Sequence, residues 1–261
     1  MKTYLQELFR YRELLTNLTI REIKIRYKQT LFGLGWAVLQ PLAMMVVFTV
    51  IFSKFLNLKS EGIPYPIFSY SALLFWTFFS TSLSFGPNAM IRMGEMIKKI
   101  YFPREIIPLA AIFAAFIDML IASIIFAGMM IYYKISLSPQ LLFIPLLVFI
   151  QIIFTIGVIF ILSALNVYYR DIRHGIPFIV QIWMYGTPIV YSMESIPYKY
   201  QHLYVLINPM AGLIDSYRKV ILHQSSPNAG FLFIAGIVSI ILVFSSYWVL
   251  KKMEGNFADV I

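Results

Sequence analysis

Long apolar runs separated by short basic connections set the pattern of this chain. Seven of its 21 Lys and Arg residues fall within the first 28 positions, and then no charge occurs until Lys54. From position 36 onward six runs read as membrane spans, for which roughly 20 apolar residues are needed. They cover 36–55, 67–85, 106–133, 141–169, 175–191 and 231–250. The first is interrupted by Pro41, and the second carries no charge. The third and fourth are long enough to tilt or to project beyond the hydrocarbon. The fifth is shorter and contains Pro177 and Pro188.

Three connections have patterns of their own. In residues 1–30, Leu5, Leu8, Phe9, Leu15 and Leu18 recur at helical spacing among Arg10, Arg12, Arg21, Lys24 and Lys28, which predicts a basic amphipathic helix lying in the membrane interface. Glu22 and Arg26 stand one helical turn apart and would support it as a pair. In residues 86–105, Pro87 is expected to open a short helix with Ala89, Met90, Met93, Met96, Ile97 and Ile100 on one face and Arg92, Glu95, Lys98 and Lys99 on the other. Pro103 stops it inside the knuckle Tyr101-Phe102-Pro103-Arg104-Glu105. A short amphipathic helix with both signs of charge reads as a docking element for another protein, or as an interfacial loop that meets only lipid headgroups. Residues 192–229 are too apolar for an ordinary loop and too broken for a span. Asn208-Pro209 separates two short apolar pieces there, so two half-helices dipping into the outer leaflet are expected. Irregular backbone at that depth needs protein or a water-filled cavity around it, which implies a pore mouth.

Composition narrows the class. With 60% hydrophobic and 13% charged residues and a mean hydropathy of +0.78, against about 25% charged in soluble domains, the chain reads as an all-α integral membrane protein forming a single domain over 1–261. The net charge of +9 is carried by connections between apolar runs, where it sets topology and meets anionic lipid rather than nucleic acid. With both termini in the cytoplasm, the cytoplasmic segments hold 15 Lys and Arg residues and the opposite side six, the bias that fixes orientation. The first apolar run begins too far along for a cleaved signal peptide, so the first span is expected to do the targeting. There is no cysteine, which excludes disulfides and thiolate metal sites. Asn17-Leu18-Thr19 matches a glycosylation sequon but falls on the cytoplasmic side.

Candidate chemistry is sparse. No Gly-x-x-x-x-Gly-Lys-Ser/Thr loop is present, so the chain does not handle ATP by that route. Neither His-Glu-x-x-His nor Gly-x-Ser-x-Gly occurs, and His174, His202 and His223 stand singly near span boundaries. No catalytic residue and no metal ligand is therefore assigned. Asp118 is the only ionisable side chain deep within a span, where a charge costs on the order of 2.5–3.5 kcal/mol. It reads as a hydrogen-bonded packing residue beside Ala110, Ala111, Ala114 and Ala115, with a proton relay as the sharper alternative.

Taken together, Arg26-Tyr27-Lys28-Gln29 with Gly33, Trp36 and Pro41, then Phe102-Pro103-Arg104-Glu105 with Pro108, then Tyr169-Arg170-Asp171, Thr187-Pro188-Ile189, Asn208-Pro209 and the Asn256-Phe257-Ala258 tail, resemble the permease subunit of bacterial ABC exporters of lipid-linked polysaccharide. These are the O-antigen, capsule and teichoic acid exporters, and the resemblance runs along essentially the whole chain. It implies a homodimeric permease in the bacterial inner membrane with two ATPase subunits docked beneath it. Six spans per protomer and a central channel near the first and fifth spans are also implied. ATP and Mg would be held by the partner subunit, with no cofactor on this chain, and the cargo would be an undecaprenyl-linked polysaccharide. By the same resemblance residues 1–30 form the interfacial helix, 88–102 the coupling helix and 196–222 the periplasmic gate helices. The coupling contacts would come from Arg92, Glu95, Lys98, Tyr101, Phe102, Pro103, Arg104 and Glu105, and Asn208 and Pro209 would belong to the gate. A sliding sugar chain needs broad, weak contacts, which aromatic rings provide. Phe48, Phe52, Trp183, Tyr185 and Tyr191 are therefore expected to line the channel.

Two other classes remain at this stage. A self-sufficient secondary transporter or channel would use ionisable groups near the midplane, of which the chain offers only Asp118. A polyprenyl-linked glycosyltransferase would want paired carboxylates at a membrane face, where only Glu105 and Asp171 are found.

Overall fold

The computed structural model describes residues 10–58, 60–169 and 171–257, and among them there are helices and connections but no strand. Four stretches are long and apolar enough to cross a membrane: Gly33–Phe55, Ile106–Tyr132, Pro139–Tyr168 and Ala229–Asn256. The chain is an all-α integral membrane protein. In order, the helices are α1 (Arg12–Tyr27), α2 (Trp36–Phe48, prolonged by the wider turn Thr49–Phe55), α3 (Tyr65–Arg92), α4 (Gly94–Lys99) and α5 (Ile106–Tyr132). They continue with α6 (Ile144–Tyr168), α7 (Asp171–Tyr185), α8 (Tyr198–Ile207), α9 (Pro209–Ile221) and α10 (Ala229–Met253).

The second and fifth expected runs fall outside those four stretches, each for a physical reason. The second forms α3, the helix at the centre of the bundle, packed on α5 and α6 and flanked by α2 and α7. Ser69, Ser71 and Ser82 are buried on it. Ser69 and Ser71 return their hydroxyls to the backbone of their own helix at 3.0 and 2.8 Å. Such a helix sees protein rather than lipid, so serine is tolerated and its hydropathy falls. The fifth run forms α7, whose 15 residues extend about 22 Å at 1.5 Å per residue before Gly186 and Pro188 end it.

Pro87 does not open a helix. It lies inside α3, which continues to Arg92, because Ala89 and Met90 prolong the buried face begun by Leu83 and Gly86, and that packing outweighs the proline signal. Close helix contacts are made at glycine. A Cβ on Gly157 of α6 would lie 2.9 Å from Leu242 and 3.1 Å from the Val243 backbone of α10, the small-residue approach on which membrane helices rely.

The apolar core is divided. The larger cluster joins α3, α5, α6 and α9. A second gathers at one end of the bundle, where α3, α6 and α10 finish and α5 starts, from Leu18, Met90, Ile97, Phe102, Ile107, Phe160, Leu250 and Phe257. A small third cluster of Met193, Val205 and Phe231 underlies α8.

Residues 1–9, with Leu5, Leu8 and Phe9 of the expected interfacial helix, lie outside the described residues, as do Arg170 and Ala258 of the motifs. The remainder of that helix is α1, which turns Leu14, Leu15, Leu18, Thr19, Glu22, Ile23 and Arg26 toward the protein in one helical stripe. The expected Glu22–Arg26 pair is replaced by two longer-range ones. Glu22 meets Arg92 at 2.6 Å and Arg26 meets Asp118 at 2.8 Å.

Candidate functional site

Between Ile67 and Met90 every residue of α3 is buried except Thr77, Ser80, Thr81, Ser84, Phe85 and Asn88. Their spacing of three, one, three, one and three residues puts them on a single helical stripe. All of that stripe but Asn88 floors a groove of about 590 Å³ between α2 and α7, together with Leu73, Leu74, Trp76 and Phe78. One wall is the face of α2 with Trp36, Ala37, Gln40, Pro41 and Met44, and the other is the face of α7 with Pro177, Val180, Gln181, Met184 and Tyr185. Ala115, Asp118, Met119 and Ala122 of α5 complete it. The floor hydroxyls are partly committed: Ser84 donates to the Ser80 carbonyl at 2.8 Å and Ser80 to that of Thr77 at 3.2 Å. Their oxygens keep lone pairs for a visitor. The groove thus sets hydroxyl and amide groups and the half-exposed rings of Trp36 and Tyr185 into a lining that is otherwise mainly apolar.

One end of the groove is shut by charge. Arg26 donates to Asp118 at 2.8 Å and to the Ala111 carbonyl at 2.9 Å, and its guanidinium lies 4.3 Å from the centre of the Phe85 ring. Burial, reinforced by the Asp118 carboxylate, raises the Tyr27 phenol above its ordinary range, so it stays protonated. With side chains only 4% and 12% exposed, Arg26 and Asp118 form a buried pair. Counting charges within spans missed it, because the arginine comes from α1, outside any span.

At the other end a clamp holds the turn after α7. Asn208 donates to the Gly186 carbonyl at 2.7 Å and to Thr187 Oγ1 at 3.0 Å, and accepts from Trp183 Nε1 at 2.9 Å. Arg218 of α9, read from sequence as an outer-loop cation, is buried. It donates to the carbonyls of Pro188 and Ile189 at 2.6 Å each, of Tyr191 at 3.0 Å and of Phe68 at 3.3 Å. Tyr65 adds a bond to the Val190 carbonyl at 2.9 Å. The motifs Thr187-Pro188-Ile189 and Asn208-Pro209 therefore meet in one piece of architecture. Glu61 links the adjoining loop to it through Ser192 and through His223 at 2.6 Å.

The connection between α3 and α5 presents two faces. Glu95, Lys98, Lys99, Ile100 and Tyr101 point outward, Tyr101 being 89% exposed. Arg92, Phe102, Arg104 and Glu105 anchor it instead. Phe102 is in the second core, Glu105 is wholly buried and meets Lys251 at 3.1 Å, and Arg104 lies over the Phe257 ring. Pro103 sits half-buried between them.

Of the five rings expected along a channel, Tyr185 faces this groove. Phe48 is buried edge-on to Phe52, while Trp183 stands edge-on to Phe79 and Phe154 with its indole N–H held by Asn208. Tyr191 pairs its hydroxyl with that of Tyr204 at 3.1 Å. Asn208 and Pro209 lie at the junction of α8 and α9. Sequence reasoning missed the α3 stripe, although its 3–4 spacing of Ser and Thr in an uncharged run is a legible signal. It also missed Arg218, for which the sequence gives none.

Comparison with known proteins supplies context. The family model described as ABC-2 type transporter matches residues 13–222. The chain is 28% identical to an O-antigen export system permease protein RfbA of Myxococcus xanthus over 97% of both chains. It is 29% identical to an RfbA permease of Klebsiella pneumoniae over 95% of both. It is 24% identical to the polysialic acid transport protein KpsM of Escherichia coli over 78% of this chain and 80% of that one.

Proposed function

The chain belongs to the ABC-2 type transporter family, and from that premise we propose that it is the permease of an ATP-driven exporter moving lipid-linked, O-antigen-type polysaccharide across the bacterial inner membrane. The observation that carries this reading is the groove: charged only at one end, where Arg26 and Asp118 neutralise each other, and otherwise lined by hydroxyls, rings and apolar side chains. Stacking on rings and exchangeable hydroxyl bonds hold each sugar weakly, so a repeating chain is not trapped. The export permeases named among the relatives support the cargo class, and the polysialic acid transporter supports capsule polymer as the alternative.

Two copies would pair so that their α2 and α7 faces enclose the path. Leu39, Val46, Val47, Phe178, Ile179 and Ile182 are exposed on those helices in the single protomer, which supports such a partner. We count six crossings, because α3 and α7 each run between the docking end and the clamp end of the bundle even though α3 is serine-rich and α7 short. The docking end is cytoplasmic by its charge, with both termini on that side, and α8 and α9 form a re-entrant periplasmic gate.

The outward face of Glu95, Lys98, Lys99, Ile100 and Tyr101 would receive the ATPase, one per permease, and the ATPase would bind ATP and Mg. An undecaprenyl-type lipid carrier fits a groove open between α2 and α7. Neutralisation of Asp118 by Arg26 removes the free midplane carboxylate that a secondary transporter would use. The test is capture of the partner. The chain should co-purify with its ATPase, and Tyr101→Ala combined with Ile100→Asp should abolish co-purification while the permease remains folded. Unchanged capture by that variant refutes the docking assignment.

A further inference from the structure

We infer that α1 is the link between the docking turn and the groove, and that Glu22 is the positioning residue through which it acts. The inference rests on the exporter reading above and adds a route for motion to it.

Glu22 and Arg26 are one turn apart on the buried stripe of α1, about 6 Å along the axis. Glu22, its side chain wholly buried, holds Arg92 at 2.6 Å on the last turn of α3, just ahead of the docking turn. Arg26 holds Asp118 at 2.8 Å at the closed end of the groove. An apolar contact lets helices slide, whereas an ion pair with a buried member fixes direction and distance, because separating it strands that charge. Glu22 is the buried member of its pair, Arg92 being 31% exposed, and Arg26 and Asp118 are both largely buried. A displacement of the docking turn is therefore passed to a short rigid helix and from it to the groove wall. Among the described residues Glu22 Oε1, Arg26 Nε and Asp118 Oδ1 are buried with no hydrogen-bond partner, which leaves acceptors and a donor that a shifted pairing could use.

The experiment uses the complex of the chain with its ATPase in proteoliposomes containing a lipid-linked glycan, reading ATP turnover and glycan translocation from the same vesicles. The variants are Glu22→Gln, Arg92→Gln and the exchange Glu22→Arg with Arg92→Glu. In the single variants ATP turnover should stay within about twofold of wild type while glycan moved per ATP falls about tenfold, the usual scale of coupling between sites. The exchange should recover most of the loss. The inference is overturned if glycan moved per ATP is unchanged, or if both rates fall together. Should the single variants fail to assemble with the ATPase, Arg92→Lys is read in the same way, and its failure to assemble also overturns the inference, since the pair then builds the docking site rather than coupling it. A wild-type complex that neither hydrolyses ATP nor moves glycan sinks the exporter reading instead.

Discussion

Replacing Arg218 by methionine tests the clamp at the C-terminal end of α7. The guanidinium is 3% exposed and bonds three carbonyls of one turn, those of Pro188, Ile189 and Tyr191, at 2.6, 2.6 and 3.0 Å. A buried acceptor left without a donor costs about 1–3 kcal/mol. Three such acceptors give about 3 kcal/mol at the low end of that range. At about 2–4 °C per kcal/mol for chains near this size, the midpoint of thermal unfolding should fall by roughly 6–12 °C. Arg218→Lys keeps the charge but cannot span four carbonyls from one atom, so it should lose about half as much. Heating the purified permease while following tryptophan fluorescence reads the shift, since Trp183 hangs on the same clamp through Asn208. A midpoint for Arg218→Met within about 1 °C of wild type would refute the reasoning.

Other expectations are shorter. In this cysteine-free chain, single cysteines at Ser60, Ser138 and Ser226 should react with an impermeant thiol reagent outside intact spheroplasts, and one at Lys99 should not; the reverse pattern inverts the topology. Gly157→Val drives a side chain against Leu242 and should cost about 1–3 kcal/mol by overpacking, read as a lower melting midpoint, whereas Gly128→Ala, with nothing within 4 Å, should be neutral or slightly stabilising. Ser80→Leu with Thr81→Leu fills the floor of the groove and should lower export at normal abundance; normal export would remove the groove from the path. Because Asp118 is paired, collapsing the proton gradient across proteoliposomes should leave ATP-driven export unchanged, and a proportional loss would revive proton coupling.

Much of the fold was legible because membrane helices announce themselves by length and apolarity, and the four most apolar runs are helices at the places expected. The runs that sequence described less well are the two that protein surrounds or proline cuts. Serine inside α3 lowers its hydropathy, and Pro87 reads as a start although burial of Ala89 and Met90 carries the helix past it. The site was harder to see. Asp118 drew attention as a buried carboxylate, but its partner lies 92 positions away in a helix outside the spans, a distance that periodicity does not bridge. Glu22 and Arg26 fit the rule for an intrahelical pair and were instead claimed by two other helices. The connection over 86–105 reads as a docking element from its mixed charge, yet which of its residues face out and which anchor it depends on a second core that exists only once α1, α5, α6 and α10 are assembled.

The central claim is ATP-driven movement of a lipid-linked glycan through this permease, and the most direct measurement is translocation in proteoliposomes that hold the chain, its ATPase and the glycan on the ATP-accessible face. The account predicts that glycan becomes reachable by a membrane-impermeant lectin on the far side only when ATP, Mg and both subunits are present. Appearance of glycan on the far side without ATP, or its absence from the far side while the complete complex hydrolyses ATP, would contradict it.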